Sequence, residues 1–234
     1  MTLERTNSNR SAAATRNALA RWLYPLAKTC VQALPESLLR IRPYGVFEIS
    51  LRHQVDEPPW RPGNSSRQVE WVDSRTVLRH LGDLVSPQNA NLWDGNQCRA
   101  AAVWQNDTPV GVAWIAKGSF AEPELGIHFQ LEPDEVWLFA SVVAPERRRQ
   151  GIYSDLLNFL REELTRAGLQ RILCGISVGN SASLAAHRQA GAQQLGHVFA
   201  AKTLGIVCCR TRGAVKRTCS RPIAWRRPIE VTVG

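Results

Sequence analysis

Three features are absent from this chain of 234 residues: paired cysteines, long apolar runs and internal repeats. The six cysteines form no C-x-x-C pair and have no histidines at metal-ligand spacing, so neither a zinc site nor a disulfide framework is predicted. No stretch approaches 18 uninterrupted apolar residues, which excludes a membrane-spanning helix. The chain contains no internal sequence repeat, which excludes a repeat architecture. We expect a metal-free protein of the reducing, cytoplasmic compartment.

Acidic residues are scarce at both ends of the chain. Residues 1–42 hold seven Lys or Arg against two acids, and residues 205–234 hold seven against one. The body between them carries slightly more acids than bases, which argues against a domain built around nucleic acid. We favour the interpretation that the basic ends are simply solvated. The alternative is that they contact nucleic acid or an anionic membrane.

The chain divides into a globular body and two extensions. A hydrophobic fraction of 44% predicts a folded domain, which we place at residues 43–208. Residues 1–42 are predicted to be a partly disordered extension with a helix over 17–34, whose apolar face docks on the domain or on a membrane surface. Residues 209–234 read as a basic, poorly patterned tail.

A strand, a turn and a helix form the most informative stretch. The apolar run VWLFASVV over residues 136–143 predicts a buried strand, which Pro145 ends. A basic turn and Gly151 follow, and apolar residues recur at helical spacing from Ile152 onward. Because the first N–H groups of a helix have no internal partner, this arrangement predicts an anion site. The neighbouring arginines suit a diphosphate.

Two motifs carry a family resemblance. The first reads Arg148-Arg-Gln-Gly151-Ile-Tyr153, and the second, after a strand predicted over 171–178, reads Asn180-x-x-Ser183-x-x-x-His187-x-x-x-Gly191-Ala192. Over roughly residues 67–208 the chain resembles the acetyl-CoA-dependent N-acetyltransferase superfamily known as GNAT. Three positions depart from that family's pattern. Tyr153 replaces a small residue, His187 replaces a tyrosine and Ala192 replaces a phenylalanine.

The resemblance implies a fold and a reaction. The fold is α/β: a single GNAT-like domain whose mixed, mostly antiparallel central sheet is flanked by helices. In that fold the sheet splays after its central strand, and the acyl-pantetheine arm enters the gap. The implied reaction moves an acetyl group, or another acyl group, from CoA to an amine.

The resemblance also implies residue roles. A backbone N–H near Val142 or Val143 would bind the oxyanion, the basic turn would hold the pyrophosphate, and Asn180 would bind the pantetheine arm or an ordered water. His187 is the candidate to protonate the leaving sulfur, because an imidazole of pKa near 6.5 can donate to a thiolate. A surface helix residue and a hydrogen-bonded spacer are the alternative interpretations of His187. The expected CoA-binding residues are Val142, Val143, Arg147, Arg148, Arg149, Gln150, Gly151, Ile152, Tyr153, Asn180 and Ser183.

The general base is the weakest part of the prediction. An amine of pKa near 10.4 is almost wholly protonated at pH 7, so the reaction needs a base. The predicted strand over 136–143 holds no acid. A predicted long loop over 118–134 and the entrance of the strand supply the candidates. These are Glu122, Glu124, His128, Glu132, Asp134 and Glu135, of which we select Glu124 and Glu135.

Three functions follow from this sequence. The first is acyl transfer to a primary amine of a small molecule, which we favour. The second is acetylation of a protein amine, which needs an open groove. The third is a CoA-binding regulatory module without turnover, whose basic ends recruit nucleic acid or a membrane.

Overall fold

The structure is a computed structural model that describes residues 39–51, 67–81, 85, 98–122, 124–218, 222–225 and 228–234. The helix predicted over 17–34, and the rest of the N-terminal extension up to residue 38, lie outside the described residues.

A nine-stranded sheet forms the body of the protein. Its strands are β1 (Arg40–Ser50), β2 (Arg67–Val72), β3 (Cys98–Gln105), β4 (Thr108–Lys117), β7 (Glu135–Val143), β8 (Arg171–Ser177), β9 (Gln193–Thr203), β10 (Ile206–Gly213) and β12 (Ile223–Trp225). Their order across the sheet is β12-β10-β9-β1-β8-β7-β4-β3-β2. All neighbours in this sheet pair antiparallel except β7 and β8, which are parallel, so the predicted mixed and mostly antiparallel sheet is confirmed.

Three helices flank this sheet within the described residues: α1 (Ser74–Leu81), α2 (Ile152–Arg166) and α3 (Ser181–Gln189). Helix α2 buries Ile152, Leu156 and Leu160 against one face, at the spacing read from the sequence. Each such side chain stabilises the fold by about 1.5–3 kcal/mol. None of the helices in the part of the chain that the structure describes is long and apolar enough to cross a membrane.

Helix α1 covers the opposite face of the sheet. Its Val77 and Leu81 pack with Ala100, Val112 and Trp114, which alternate along β3 and β4 with residues of the α2-facing core. Asp73 caps this helix, since its carboxylate accepts a hydrogen bond from the Thr76 backbone N–H at 2.7 Å. The sheet therefore has helices on both faces.

A second, four-stranded sheet corrects two predictions. It has the order β11-β13-β6-β5 and consists of β5 (Ser119–Glu122), β6 (Ile127–Gln130), β11 (Val215–Arg217) and β13 (Ile229–Val233). Residues 118–134, predicted to be a long loop, thus contain a hairpin. Residues 209–234, predicted to be a tail, complete β10 and supply β11, β12 and β13.

The reason for both corrections is pairing between distant segments. Strand β13 runs parallel to β6, with Val231 opposite Phe129. Val231 is fully buried and Phe129 nearly so, in a core that also contains Trp137 of the main sheet. The C-terminal segment therefore holds the β5–β6 hairpin against the face of the main sheet opposite α2.

Candidate active site

A gap opens in the main sheet between its two parallel strands. Pairing of β7 with β8 runs from Glu135 opposite Arg171 to Leu138 opposite Cys174 and stops there. On its other side β7 stays paired with β4 as far as Val143. The second half of β7 therefore presents an open edge, on which backbone groups are available to a ligand.

A bulge marks the start of the gap. The register between β4 and β7 shifts between Val112 and Trp114, and Ala140 adopts a left-handed conformation with φ 46°. A residue with a Cβ rarely adopts this conformation, and bulges and strained residues concentrate at functional sites. The bulge turns the backbone of β7 just where its pairing with β8 has ended.

The basic turn follows β7 directly. Residues Pro145–Arg147 form a short 3₁₀ helix, and Arg149 and Gly151 then adopt left-handed conformations with φ 62° and 82°. Helix α2 begins at Ile152, and no side chain caps it at Gly151. Uncapped N–H groups, the positive end of a helix and four exposed polar side chains over residues 147–150 come together at this turn, an arrangement that favours an anion.

Arg67 secures this turn and was not among the predicted site residues. Its Nη1 donates to the Gln150 carbonyl at 2.7 Å and to the Asp155 carboxylate at 2.8 Å. The side chains of Arg67 and Asp155 are only 6% and 9% exposed. No local pattern pointed to Arg67, because it lies on β2, far from the turn in sequence.

Helix α3 brings His187 next to Tyr153 of α2. The Asn180 side chain caps this helix by accepting from the Ser183 backbone N–H at 3.1 Å. His187 is buried, with Nδ1 2.8 Å from the Ser183 carbonyl oxygen and Nε2 2.8 Å from the Tyr153 hydroxyl. Burial lowers the pKa of His187, and the hydrogen bond to the Ser183 carbonyl opposes this effect only in part. The lowered pKa favours a neutral ring.

An acidic pocket of about 270 Å³ lies beside the gap, on the face covered by the second sheet. Phe139 and Ala140 of β7 and Gly175 and Ser177 of β8 border it where the two strands have separated. The pocket combines aromatic side chains with two carboxylates. The remaining lining residues are Arg42, Tyr44, Phe120, Glu122, Glu124, Leu125, Phe129, Trp137 and Leu138.

The two carboxylates of the pocket differ in their surroundings. Glu124 is 46% exposed and pairs with Arg40 at 2.9 Å and Arg42 at 3.8 Å. Glu122 is partly buried, and its pKa is raised from 4.5 to about 7, first by desolvation and then by the charge of Glu124. Glu122 can therefore take up or release a proton near neutral pH, which suits a general base.

The hydroxyl of Tyr44 also faces this region. Tyr44 lines the pocket and is 8% exposed, and burial raises its pKa well above the usual range. Its Oη is buried without a hydrogen-bond partner among the residues that the structure describes. Such a group is costly unless a ligand or water satisfies it.

Glu135, selected from the sequence as a base, lies elsewhere. It begins β7, so about 17 Å of extended strand separates it from Ala140. Its carboxylate is 1% exposed, accepts from the Glu132 backbone N–H at 2.9 Å and is paired with Arg171. Of the two selected bases, the structure thus brings only Glu124 to the pocket. Within the described ranges no group of three or more His, Cys, Asp or Glu is arranged to hold a metal ion.

Comparisons with known proteins agree with this geometry. The profile of the family described as "Acetyltransferase (GNAT) family" matches residues 67–192, more than half of the chain. No curated protein matches the sequence.

Solved structures share the fold. A Drosophila protein is 13% identical with a TM-score of 0.52, over 80% of this chain and 58% of that one. A candidate acetyltransferase of the GNAT family from Novosphingobium aromaticivorans is 12% identical with a TM-score of 0.49, over 69% and 63%. An aminoglycoside acetyltransferase in complex with a bisubstrate analogue containing CoA is 16% identical with a TM-score of 0.43, over 54% and 90%.

The chain thus spans less than two thirds of the length of the first two of these proteins. The family match covers β2 to the end of α3, and so includes the gap, the basic turn and His187. The chain therefore belongs to the acetyltransferase (GNAT) family.

Proposed function

We propose that this protein transfers an acetyl group, or another acyl group, from CoA to a primary amine of a small molecule. One observation carries the proposal. A gap between β7 and β8 has an anion-binding turn at the end of one strand and an acidic pocket along its border. An acyl donor held by the turn and an amine held in the pocket would meet at the open edge of β7.

On the donor side, the backbone of the Arg147–Tyr153 turn would hold the diphosphate, with Arg147, Arg148 and Arg149 adding charge. Bound acetyl-CoA supplies a thioester, an acyl group that a neutral amine can attack. A backbone N–H of Val142 or Val143, on the open half of β7, would donate to the carbonyl oxygen as it gains negative charge. Asn180 and Ser183 would line the path of the pantetheine arm.

On the acceptor side, Glu122 would take the proton that the amine nitrogen loses. The pKa of Glu122, raised to about 7, is closer to the pKa of an amine than the pKa of an ordinary glutamate is. At neutral pH about half of the Glu122 carboxyl groups are ionised and can accept a proton. Glu124, more exposed and paired with Arg40 and Arg42, would help to keep the pKa of Glu122 raised. The unpartnered Tyr44 hydroxyl would orient the acceptor by one hydrogen bond.

The dimensions of the pocket favour a small molecule over a protein amine. Its volume of about 270 Å³ is at the lower end of the range for small-molecule sites. Trp137, Phe120 and Phe129 line it together, and aromatic faces next to carboxylates suit an organic cation.

A thermal-shift titration with CoA, acetyl-CoA and longer acyl-CoAs, followed by a screen of small primary amines, tests the proposal. A ligand at 100 times its Kd raises the free energy of unfolding by about 2.7 kcal/mol. We expect stabilisation by CoA and formation of an amide with a small amine. Absence of both would contradict the proposal, and stabilisation without any amide would favour a binding module.

A further inference from the structure

Part of one face of the main sheet lies exposed on strands β9, β10 and β12. Helices α2 and α3 cover the neighbouring part of this face, where Leu156 packs in the same core as Phe47 of β1 and Leu184 packs against that core. The Cβ position of Gly45 is on the same side, since a Cβ there would lie 2.7 Å from the Phe47 ring. The strand register carries this side from β1 across β9 and β10 to β12.

The exposed part of this face is largely apolar. Four residues stand in register across the four strands and form what we call the apolar row: Ile41, Ala201, Cys208 and Ile223. The side chain of Ile223 is 58% exposed. Phe199 and Trp225, each two positions along its strand from a member of the row, are exposed as well. Contiguous exposed apolar side chains mark a surface on which another element docks.

The opposite side of the same strands is packed. Val198 and Ala200 of β9 and Val207 and Cys209 of β10 are buried in the core beneath the second sheet. These strands are thus apolar on both sides, a pattern typical of a sheet with a layer against each face. The second sheet supplies one layer, and the apolar row marks the place of the other.

The arginines of this face lie away from the apolar row. Arg210 and Arg212 lie level with Pro43 and Gly45, further along β1. The apolar row instead includes Ile41, the second residue of β1. The apolar end of the face is therefore the end at which the chain enters the sheet.

An apolar segment precedes β1 in the sequence. The helix predicted over residues 17–34 lies outside the described residues, and its apolar positions recur at helical spacing: Leu19, Trp22, Leu23, Leu26 and Cys30. Leu34 and Arg40, the first residue of β1, are six positions apart, so the chain between them spans up to about 20 Å when extended. Since β12 is three strand spacings, about 14 Å, from β1, the segment can reach the whole face.

We propose that residues 17–34 form a helix, kinked at Pro25, that docks on the apolar row of its own domain. Eighteen residues give a helix about 27 Å long, enough to cross four strands. At about 100° per residue the apolar positions fall on one side of this helix, and Arg21 and Lys28 fall on the opposite side, in solvent. The helix supplies the missing layer over β9, β10 and β12.

The thiol of Cys208 reports the docking in the full chain. A docked helix shields this thiol, and its rate of alkylation by iodoacetamide is measured by peptide mapping. Leu26→Asp places a charge on the apolar side of the helix and is expected to speed the alkylation by about 10- to 100-fold. Lys28→Asp, the matched control, places the same charge on the solvent side and is expected to leave the rate unchanged. Equal rates in the two variants would overturn the proposal.

Hydrogen exchange of the segment gives a second readout. The amides of residues 17–34 are expected to be protected in the unaltered protein. Ile223→Asp is expected to remove this protection, and Val178→Asp, at a 52% exposed position just after β8, is expected to retain it. Because both side chains are exposed, both variants are expected to fold. Free exchange of the segment in the unaltered protein would overturn the proposal.

Two further measurements identify any other occupant of the face. An anionic membrane would be attracted by Arg210 and Arg212, and a second copy of the chain would bury the apolar row in a dimer. Protection of residues 17–34 only in the presence of vesicles of phosphatidylcholine and phosphatidylserine would overturn the proposal. A dimeric mass by light scattering that Ile223→Asp converts to a monomeric one would also overturn it. A monomer whose segment is protected without vesicles supports it.

Discussion

Arg67 and Asp155 form a buried ion pair that connects the edge strand β2 to the basic turn. Arg67 Nη1 lies 2.8 Å from Asp155 Oδ2, and the same nitrogen donates to the Gln150 carbonyl. The pair fixes the path of the turn through the Gln150 contact. It also neutralises an acid in the first turn of α2, which would otherwise repel a bound diphosphate.

The first prediction concerns this pair. Arg67→Met leaves Asp155 buried and uncompensated, so we expect the free energy of unfolding to fall by about 3–5 kcal/mol. The affinity for CoA is expected to fall as well. Denaturant unfolding and calorimetric titration measure the two effects. Arg166→Met is the control: its 68% exposed side chain pairs with Glu163 at the other end of α2, and its loss is expected to cost about 0–1 kcal/mol.

The second prediction concerns the turn itself. Gly151 has φ 82°, and a Cβ there would meet only Arg67, at 3.9 Å. Gly151→Asp adds backbone strain of about 1–2 kcal/mol and a negative charge where the diphosphate would bind, so we expect CoA binding to be lost.

Gly168 offers a matched control for this change. Gly168 also adopts a left-handed conformation, with φ 78°, and a Cβ there would meet no atom within 4 Å. It lies just beyond the C-terminal end of α2, away from the basic turn. Gly168→Asp carries the same strain and charge, and is expected to leave the affinity for CoA unaltered. Equal effects of the two substitutions on CoA binding would show that the turn does not hold the diphosphate.

The third prediction concerns pH. With the pKa of Glu122 raised to about 7, kcat/KM is expected to rise with pH through neutrality as the carboxylate ionises. Glu122→Gln is expected to remove this dependence and to lower kcat by about 10²- to 10⁴-fold. Glu124→Gln removes one of the charges that raise the pKa of Glu122, so it is expected to shift the rise in kcat/KM to lower pH without removing it. A profile unaltered in Glu122→Gln would rule out Glu122 as the base.

The same shift affects stability. Between pH 4.5 and 7 the folded state holds a proton on Glu122 that the unfolded chain has released. The contribution of Glu122 to the free energy of unfolding therefore falls as pH rises through this range, and is lowest above it. The difference in the free energy of unfolding, Glu122→Gln minus the unaltered protein, is therefore expected to be larger at pH 8 than at pH 5. Unfolding at the two pH values measures the difference.

The fourth prediction concerns Tyr44. Since its buried hydroxyl has no partner within the described residues, Tyr44→Phe is expected to leave the free energy of unfolding unchanged or slightly higher. The KM for the amine is expected to rise, because one orienting hydrogen bond is lost. Thermal unfolding and steady-state kinetics report the two effects. A large loss of stability would mean that the hydroxyl has a structural partner.

The fifth prediction concerns the C-terminal strand. Val231 on β13 is fully buried, so Val231→Thr, which buries a hydroxyl, is expected to lower the free energy of unfolding by about 1–3 kcal/mol. Glu230→Thr, on the exposed side of the same strand, is expected to change it by at most about 0.5 kcal/mol. Equal effects would argue against β13 as a structural strand.

The local part of the fold could be predicted from the sequence. The strand, turn and helix around Pro145 and Gly151 follow from residue types and from periodicity over a few positions. Strand β7 begins at Glu135, one residue before the predicted start at Val136, and helix α2 begins at Ile152 as predicted. Such short-range signals do not depend on which distant segments pack together.

The remainder depends on tertiary contacts. Strands β5 and β6 lie among charged residues, and the pairing of β6 with β13 joins segments about 100 residues apart. Alternation in the sequence Ile229-Glu-Val-Thr-Val233 was a signal for β13, masked by the basic composition around it. The choice between Glu122, Glu124 and Glu135 required burial and location, which one sequence does not contain.

Transfer of labelled acetyl from acetyl-CoA tests the central claim most directly. The full chain is incubated with the labelled donor and a panel of small primary amines, and both the amide and the released CoA thiol are quantified. The account predicts equal amounts of amide and thiol with at least one small amine, and loss of both in Gly151→Asp but not in Gly168→Asp. No amide with any amine, while acetyl-CoA is bound, would contradict it.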